Sequence, residues 1–190
     1  MKHEEFHAFS NKKFDDYSEK KREEAIKAFG CEIAENANDL TSGELKGFIE
    51  EKMGEYFDKY YVKEVKIKEK EIKKEESEKD IIIYVPYDGN VEMLRLKPSV
   101  SSDETLKVFL NEKEIGVKVK DLASKTKEEI SEETDKIVEE LKKNLDSLKK
   151  DIEECNKELK KGLKDEAEKI KKRIEKDKEK LKEIKKIIKK

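Results

Sequence analysis

An α+β fold is what this sequence predicts: a small antiparallel β-meander covered by two N-terminal helices, followed by a long charged C-terminal helical hairpin. Three observations carry that reading. From about Lys127 the chain runs to its last residue without a proline, and apolar residues recur every three or four positions among Lys and Glu. Between 62 and 120 the period changes, and Val, Ile and Leu alternate with charged residues over short runs. Ahead of these runs, two stretches have helical spacing and recognisable end signals. The division expected is an α+β head over 1–126 and helical arms over 127–190.

Residues 1–13 are polar apart from Phe6 and Phe9 and read as a loosely held end. A first helix is expected over 14–29, with Phe14, Tyr17, Ala25, Ile26 and Phe29 on one face and Gly30 closing it. Asn36 to Asp39 reads as a turn. Thr41 with Glu44 three residues later forms a capping box, opening a second helix over 41–61. Five short strands follow: Val65 and Ile67 (with Ile72), Ile81 to Val85 ended by Pro86, Val91 to Leu96, Leu106 to Leu110, and Ile115 to Val119. Asp88-Gly89-Asn90 turns the chain between the second and third, and 121–127 link the meander to the arms.

The arms carry a stripe through Val138, Leu141, Leu145, Leu148, Ile152, Cys155 and Leu159. It then continues through Leu163, Ala167, Ile170, Ile174, Leu181, Ile184 and Ile188. Its alternating three-four step is that of a coiled-coil seam. The phase slips between Leu159 and Leu163. Gly162 at the slip, Lys160 and Lys161 before it, and Asp165 with Glu168 after it read as a helix end followed by a new cap, so a hairpin is expected near 160–165. Charge agrees: 128–159 hold twelve acids against six bases, and 169–190 hold twelve bases against four acids. The alternative is one continuous coiled-coil helix that absorbs the slip as a stutter.

Charged residues make up 49% of the 190, yet the net charge is only −2, the balance of exposed, salt-bridged helices rather than of an acidic or basic tail. Lys outnumbers Arg heavily, which fits an AT-rich genome or a heat-loving host. Without a signal peptide or an apolar run near 20 residues, the chain reads as cytoplasmic. There a disulfide between Cys31 and Cys155 is not expected, and Cys155 serves the stripe as a small hydrophobe.

One short motif invites chemistry. His3-Glu4-Glu5-Phe6-His7 satisfies H-E-x-x-H, the pattern that binds zinc from one helix face, and Glu23 or Glu24 could supply a third ligand. The motif sits in a polar terminal segment with no third histidine in the chain, so it is read as fortuitous. No catalytic residue, cofactor or metal is assigned. The run from Lys169 to Lys190 offers a basic surface that could contact phosphates, with Lys185, Lys186, Lys189 and Lys190 as the candidate anion-binding residues. It lacks aromatic residues for base stacking, and its bland reading is a solvated face balanced by the acidic first arm. Ile187 and Ile188 lend it some amphipathic character, though a membrane partner is disfavoured.

The strand Ile81 to Val85 running into Pro86-Tyr87-Asp88-Gly89-Asn90, then Leu94 and Pro98-Ser99, resembles a family of uncharacterised bacterial proteins. There a strand runs into proline-aromatic-x-Gly-Asp and, after a short run, Pro-Ser. Cys155-Asn156-x-x-Leu159 and Ile170-x-x-Arg173 resemble the same family's aromatic-Asn-x-x-Leu and Arg-containing helix, with Cys155 in place of the aromatic. The resemblance spans about 62–174. Members often accompany predicted phage-defence genes, which implies sensing or assembly, possible antiviral defence among them, and no catalytic residue.

The function expected is therefore a non-enzymatic interaction or assembly module working through coiled-coil-like arms. Its interaction residues would be Leu141, Leu145, Leu148, Ile152, Leu159, Ile170, Ile174 and Leu181, binding a protein partner or a second copy in a homo-oligomer. Asn144 and Asn156, close to the seam, would fix its register. The alternative is a nucleic-acid-associated accessory protein using the basic C-terminal helix.

Overall fold

A computed structural model describes residues 5–10, 12–37, 40–76, 80–100, 106–111, 113–119 and 124–188. The chain is α+β: an antiparallel sheet, two N-terminal helices and one long C-terminal helix. The strands are β1 (Glu5–Ala8), β2 (Val65–Ile67), β3 (Lys73–Glu76), β4 (Ile81–Gly89), β5 (Leu106–Asn111) and β6 (Glu114–Val119). The helices are α1 (Phe14–Asn36), α2 (Ser42–Tyr60) and α3 (Lys127–Ile188), with short 3₁₀ turns at Glu69–Glu71 and Val91–Arg95. Two compact units result, each made of two stretches: Met1–Tyr17 with Lys63–Glu153, and Ser18–Val62 with Glu154–Lys190. This differs from a head over 1–126 followed by arms.

The first unit holds the sheet, ordered β1-β5-β6-β4-β2, with β3 also paired to β4. All its ladders are antiparallel, but β6 returns between β5 and β4, so the order is not the simple meander expected from the sequence. Along β4, Ile81, Ile83 and Val85 are buried while Ile82 and Tyr84 are only partly covered, the period-two pattern of a sheet with one inner face. Val108, Val117 and Ile83 lie side by side on that inner face. On the other face Phe109, Gly116 and Tyr84 are aligned. The Phe109 ring takes the space over Gly116, where a Cβ would stand 2.2 Å from Cζ, and meets the Tyr84 ring edge-on at 6.2 Å.

Three local expectations change here. Within the N-terminal segment, Glu5–Ala8 form a paired edge strand rather than part of a loose end, with Ala8 fully buried; its partner β5 lies some hundred residues away, beyond the reach of local signals. Pro86 does not end β4, which continues to Gly89 because β2 pairs with Tyr87, Asp88 and Gly89. Val91–Arg95 is a 3₁₀ turn, not a strand: the Asn90 side chain accepts from the Glu92 N–H at 3.1 Å and folds the chain back locally. Gly89 itself is required, with φ +104° and the Glu64 carbonyl oxygen 1.9 Å from where a Cβ would be. The turn at 38–39, the loop at 77–79, the segment 101–105 and residues 121–123 of the linker lie outside the described residues.

The first part of α3 belongs to this unit. Its capping box, Thr126 with Glu129, opens the helix with backbone-to-side-chain bonds of 2.7 and 3.2 Å. Leu141, Leu145, Leu148 and Ile152 are buried. Lys142 pairs with Glu69 at 2.8 Å, and Asp151 accepts from both the backbone N–H and the hydroxyl of Ser99, at 2.8 and 2.5 Å.

The second unit is a three-helix packing. Ala25, Phe29, Ile33 and Ala37 of α1 and its exit, Leu45 and Ile49 of α2, and Leu159, Leu163, Ala167 and Ile170 of α3 form one buried cluster. Expected to cover the meander, the apolar faces of α1 and α2 thus have α3 as their buried partner. The Thr41–Glu44 capping box forms as the sequence predicts. Burying side chains of this size stabilises by about 1.5–3 kcal/mol each, more than the ~1 kcal/mol a helical glycine costs. That balance explains the main correction: α3 is one helix of 62 residues, unbroken at 160–165. Gly162 is not its end but a point of close approach, with Ile26 Cδ1 occupying the place of its missing Cβ at 2.4 Å. Gly30 likewise lies inside α1 rather than closing it.

Candidate interaction surface

The apolar stripe of α3 divides by exposure. Of the eight side chains expected to meet a partner, Leu141, Leu145, Leu148, Ile152, Leu159 and Ile170 are buried within the chain, and Ile174 is half-buried. Leu181 alone among them is exposed, at 55%. It is not isolated: Ile184 at 51% and Ile187 at 73% follow one helical turn apart. From Glu179 to Ile187 every side chain of α3 is exposed. The periodicity placed Ile184 on the stripe, but no signal in the sequence says where the intrachain cover stops.

The two asparagines near the seam are engaged by this chain. Asn156 exchanges two hydrogen bonds with the backbone of Val62, both 3.0 Å, and Asn144 donates to the Glu140 carbonyl at 3.0 Å. Cys155 is buried and unpaired; burial pushes its thiol up, against the smaller influence of Lys21 and Arg22. Cys31 is exposed and also free, so the two form no disulfide.

Of the expected anion-binding residues, Lys185 and Lys186 are exposed on the last turns of α3; Lys189 and Lys190 lie outside the described residues. The zinc-like motif takes a different form from the one its chemistry needs. His3 and Glu4 lie outside the described residues, and Glu5 to His7 form part of β1. Among the described residues no group of three His, Cys, Asp or Glu is placed to hold a metal.

Elsewhere, α2 carries a polar and aromatic network. The Tyr56 hydroxyl donates to Glu32 at 2.7 Å, and Lys52 bridges Glu32 and Glu55 at 3.0 and 2.8 Å. The Tyr56 bond and Lys52 hold the Glu32 carboxyl below its usual value, while Glu32 pushes Tyr56 up to about 12. Lys59 lies over both the Tyr56 and Tyr60 rings. A groove of about 700 Å³ runs between α1 and α3, floored by Ile26, Ala34, Ile170 and Ile174 and edged by Arg173 and Asp177. Glu23, Cys31 and Glu166 also line it. No described helix is long and apolar enough to cross a membrane. No protein-family model, curated protein or solved structure matches the chain.

Proposed function

We propose that the protein is a non-enzymatic interaction module that docks to another protein through the C-terminal end of α3. The supporting observation is the exposure of Leu181, Ile184 and Ile187 along one side of a helix whose stripe is buried or half-buried within the chain as far as Ile174. A helix holding large apolar side chains in water beyond its last buried layer carries a cost that a partner relieves. The reading fits the sensing or assembly role implied by the resemblance to defence-associated bacterial proteins. The test compares the full chain with Leu181→Asp/Ile184→Asp as bait in nuclease-treated host lysate. A protein held by the wild type and released by the variant, with unchanged helical circular dichroism, is the expected result. Equal recovery by both would reject this surface.

A second reading, a nucleic-acid-associated accessory protein, is favoured by the exposed Lys185 and Lys186 on the basic end of α3. Lys185→Glu/Lys186→Glu should then abolish binding to a duplex DNA probe and flatten its salt dependence. DNA binding that is unchanged in this variant excludes that role for the two lysines.

A further inference from the structure

The charges beside the exposed stripe restrict what can lie on it. Taking Ile174 and Leu181 as a positions and Ile170 and Ile184 as d positions of a heptad, the e positions are Lys171, Lys178 and Lys185. The g positions with charge are Arg173 and Lys180, and Ile187 occupies the next g. Every charged flank is therefore cationic. The acids of this segment lie elsewhere: Glu175, Glu179 and Glu183 fall on the b, f and c positions of the far face, and Asp177 lies in the d row. Lys178 donates to the Leu40 carbonyl at 2.5 Å. Lys171, Arg173, Lys180 and Lys185 carry no ion pair among the described residues, and all four are exposed.

Such flanks oppose pairing with a second copy of the same segment. In a parallel pair, g meets the following e of its neighbour, setting Arg173 against Lys178 and Lys180 against Lys185. In an antiparallel pair, e meets e and g meets g, which again sets cation against cation. Flank charges of this kind choose partners by repelling the wrong one. The stripe is also narrow and has no aromatic residue between Lys171 and Ile188, which suits a helix seam better than a membrane surface.

Resting on the docking role proposed above, we infer that the occupant of this face is an amphipathic helix of a different protein, with Glu or Asp flanking its apolar stripe. The apolar row of that helix covers Leu181, Ile184 and Ile187, and its acids reach Lys180 and Lys185 on either side.

The test uses fluorescence anisotropy with the full chain and two labelled synthetic helices of three heptads. Both carry Leu and Ile at a and d; one carries Glu at every e and g, the other Lys. The Glu-flanked helix should bind at least tenfold tighter, weakening as salt rises, and Lys180→Glu/Lys185→Glu should reverse the preference. Leu181→Asp/Ile184→Asp should remove binding of both. Equal binding of the two helices overturns the inference and leaves docking intact. So does sedimentation showing a homodimer that Leu181→Asp/Ile184→Asp dissociates. Binding of neither helix, with binding instead to anionic phosphatidylserine vesicles or duplex DNA, overturns the inference and the docking role together.

Discussion

Asn156 occupies both hydrogen-bonding groups of Val62: its Nδ2 donates to the Val62 carbonyl and its Oδ1 accepts from the Val62 N–H, each at 3.0 Å. Val62 is 1% exposed and Asn156 8%, so water cannot replace either bond. A side-chain amide thus stands in for the strand or helix partner that the chain lacks as it leaves α2. Asn156→Ala leaves two buried backbone groups unsatisfied, and should cost about 3 kcal/mol. The measurement is the urea-unfolding midpoint. Asn156→Asp, which keeps an acceptor but loses the donor and buries a charge, should fare no better.

Gly162 distinguishes a continuous helix from a hairpin. Alanine there gains about 1 kcal/mol of helix propensity but meets Ile26. In an Ile26→Ala background that obstacle is gone, so adding Gly162→Ala should stabilise by about 1 kcal/mol relative to Ile26→Ala alone. A helix-ending glycine would instead make the substitution destabilising whatever stands at 26. Thermal unfolding of the four proteins of the cycle decides between them.

The cross-strand pair Phe109 and Gly116 should show the same kind of coupling. With the Phe109 ring in place, Gly116→Ala overpacks the sheet face and should cost about 1–3 kcal/mol. In a Phe109→Ala background the cost should largely vanish, giving a coupling energy above about 1 kcal/mol. Additive effects would mean that the ring does not rest on the glycine.

Glu32 and Tyr56 bound a pH window from both sides. The folded carboxyl titrates below its ordinary value of 4.5, so its contribution is present above that value and lost as pH falls through the lowered one. The Tyr56 hydroxyl is raised from 10.0 to about 12, so its contribution is complete below 10 and lost as pH rises toward 12. Glu32→Gln should flatten the acid limb of a stability–pH curve. It should also return Tyr56 toward the ordinary tyrosine range, read as the ultraviolet difference titration between proteins with and without Tyr56→Phe. A Tyr56 titration unmoved by Glu32→Gln would contradict the pair.

Local signals in the sequence were reliable where local chemistry decides the outcome. The Thr41–Glu44 capping box and the strand over Ile81 to Val85 form as their residues suggest. Gly30 and Gly162 misled for one shared reason. A glycine past a helix end and a glycine under a neighbouring side chain look alike in sequence, and only the tertiary neighbours, Glu166 for one and Ile26 for the other, separate them. β1 was illegible because four residues of mixed polarity become a strand only when β5 pairs with them. The stripe on α3 was legible in full, but its division into buried and exposed parts was not, since cover by α1 and α2 stops at a place set by packing.

The most direct test of the docking face is amide hydrogen exchange of the full chain, alone and saturated with the Glu-flanked helix. New protection is expected over 177–188 with little change elsewhere, because the apolar side chains of the docking face lie on those turns. Protection confined to the sheet, or none over 177–188 at saturation, would contradict it.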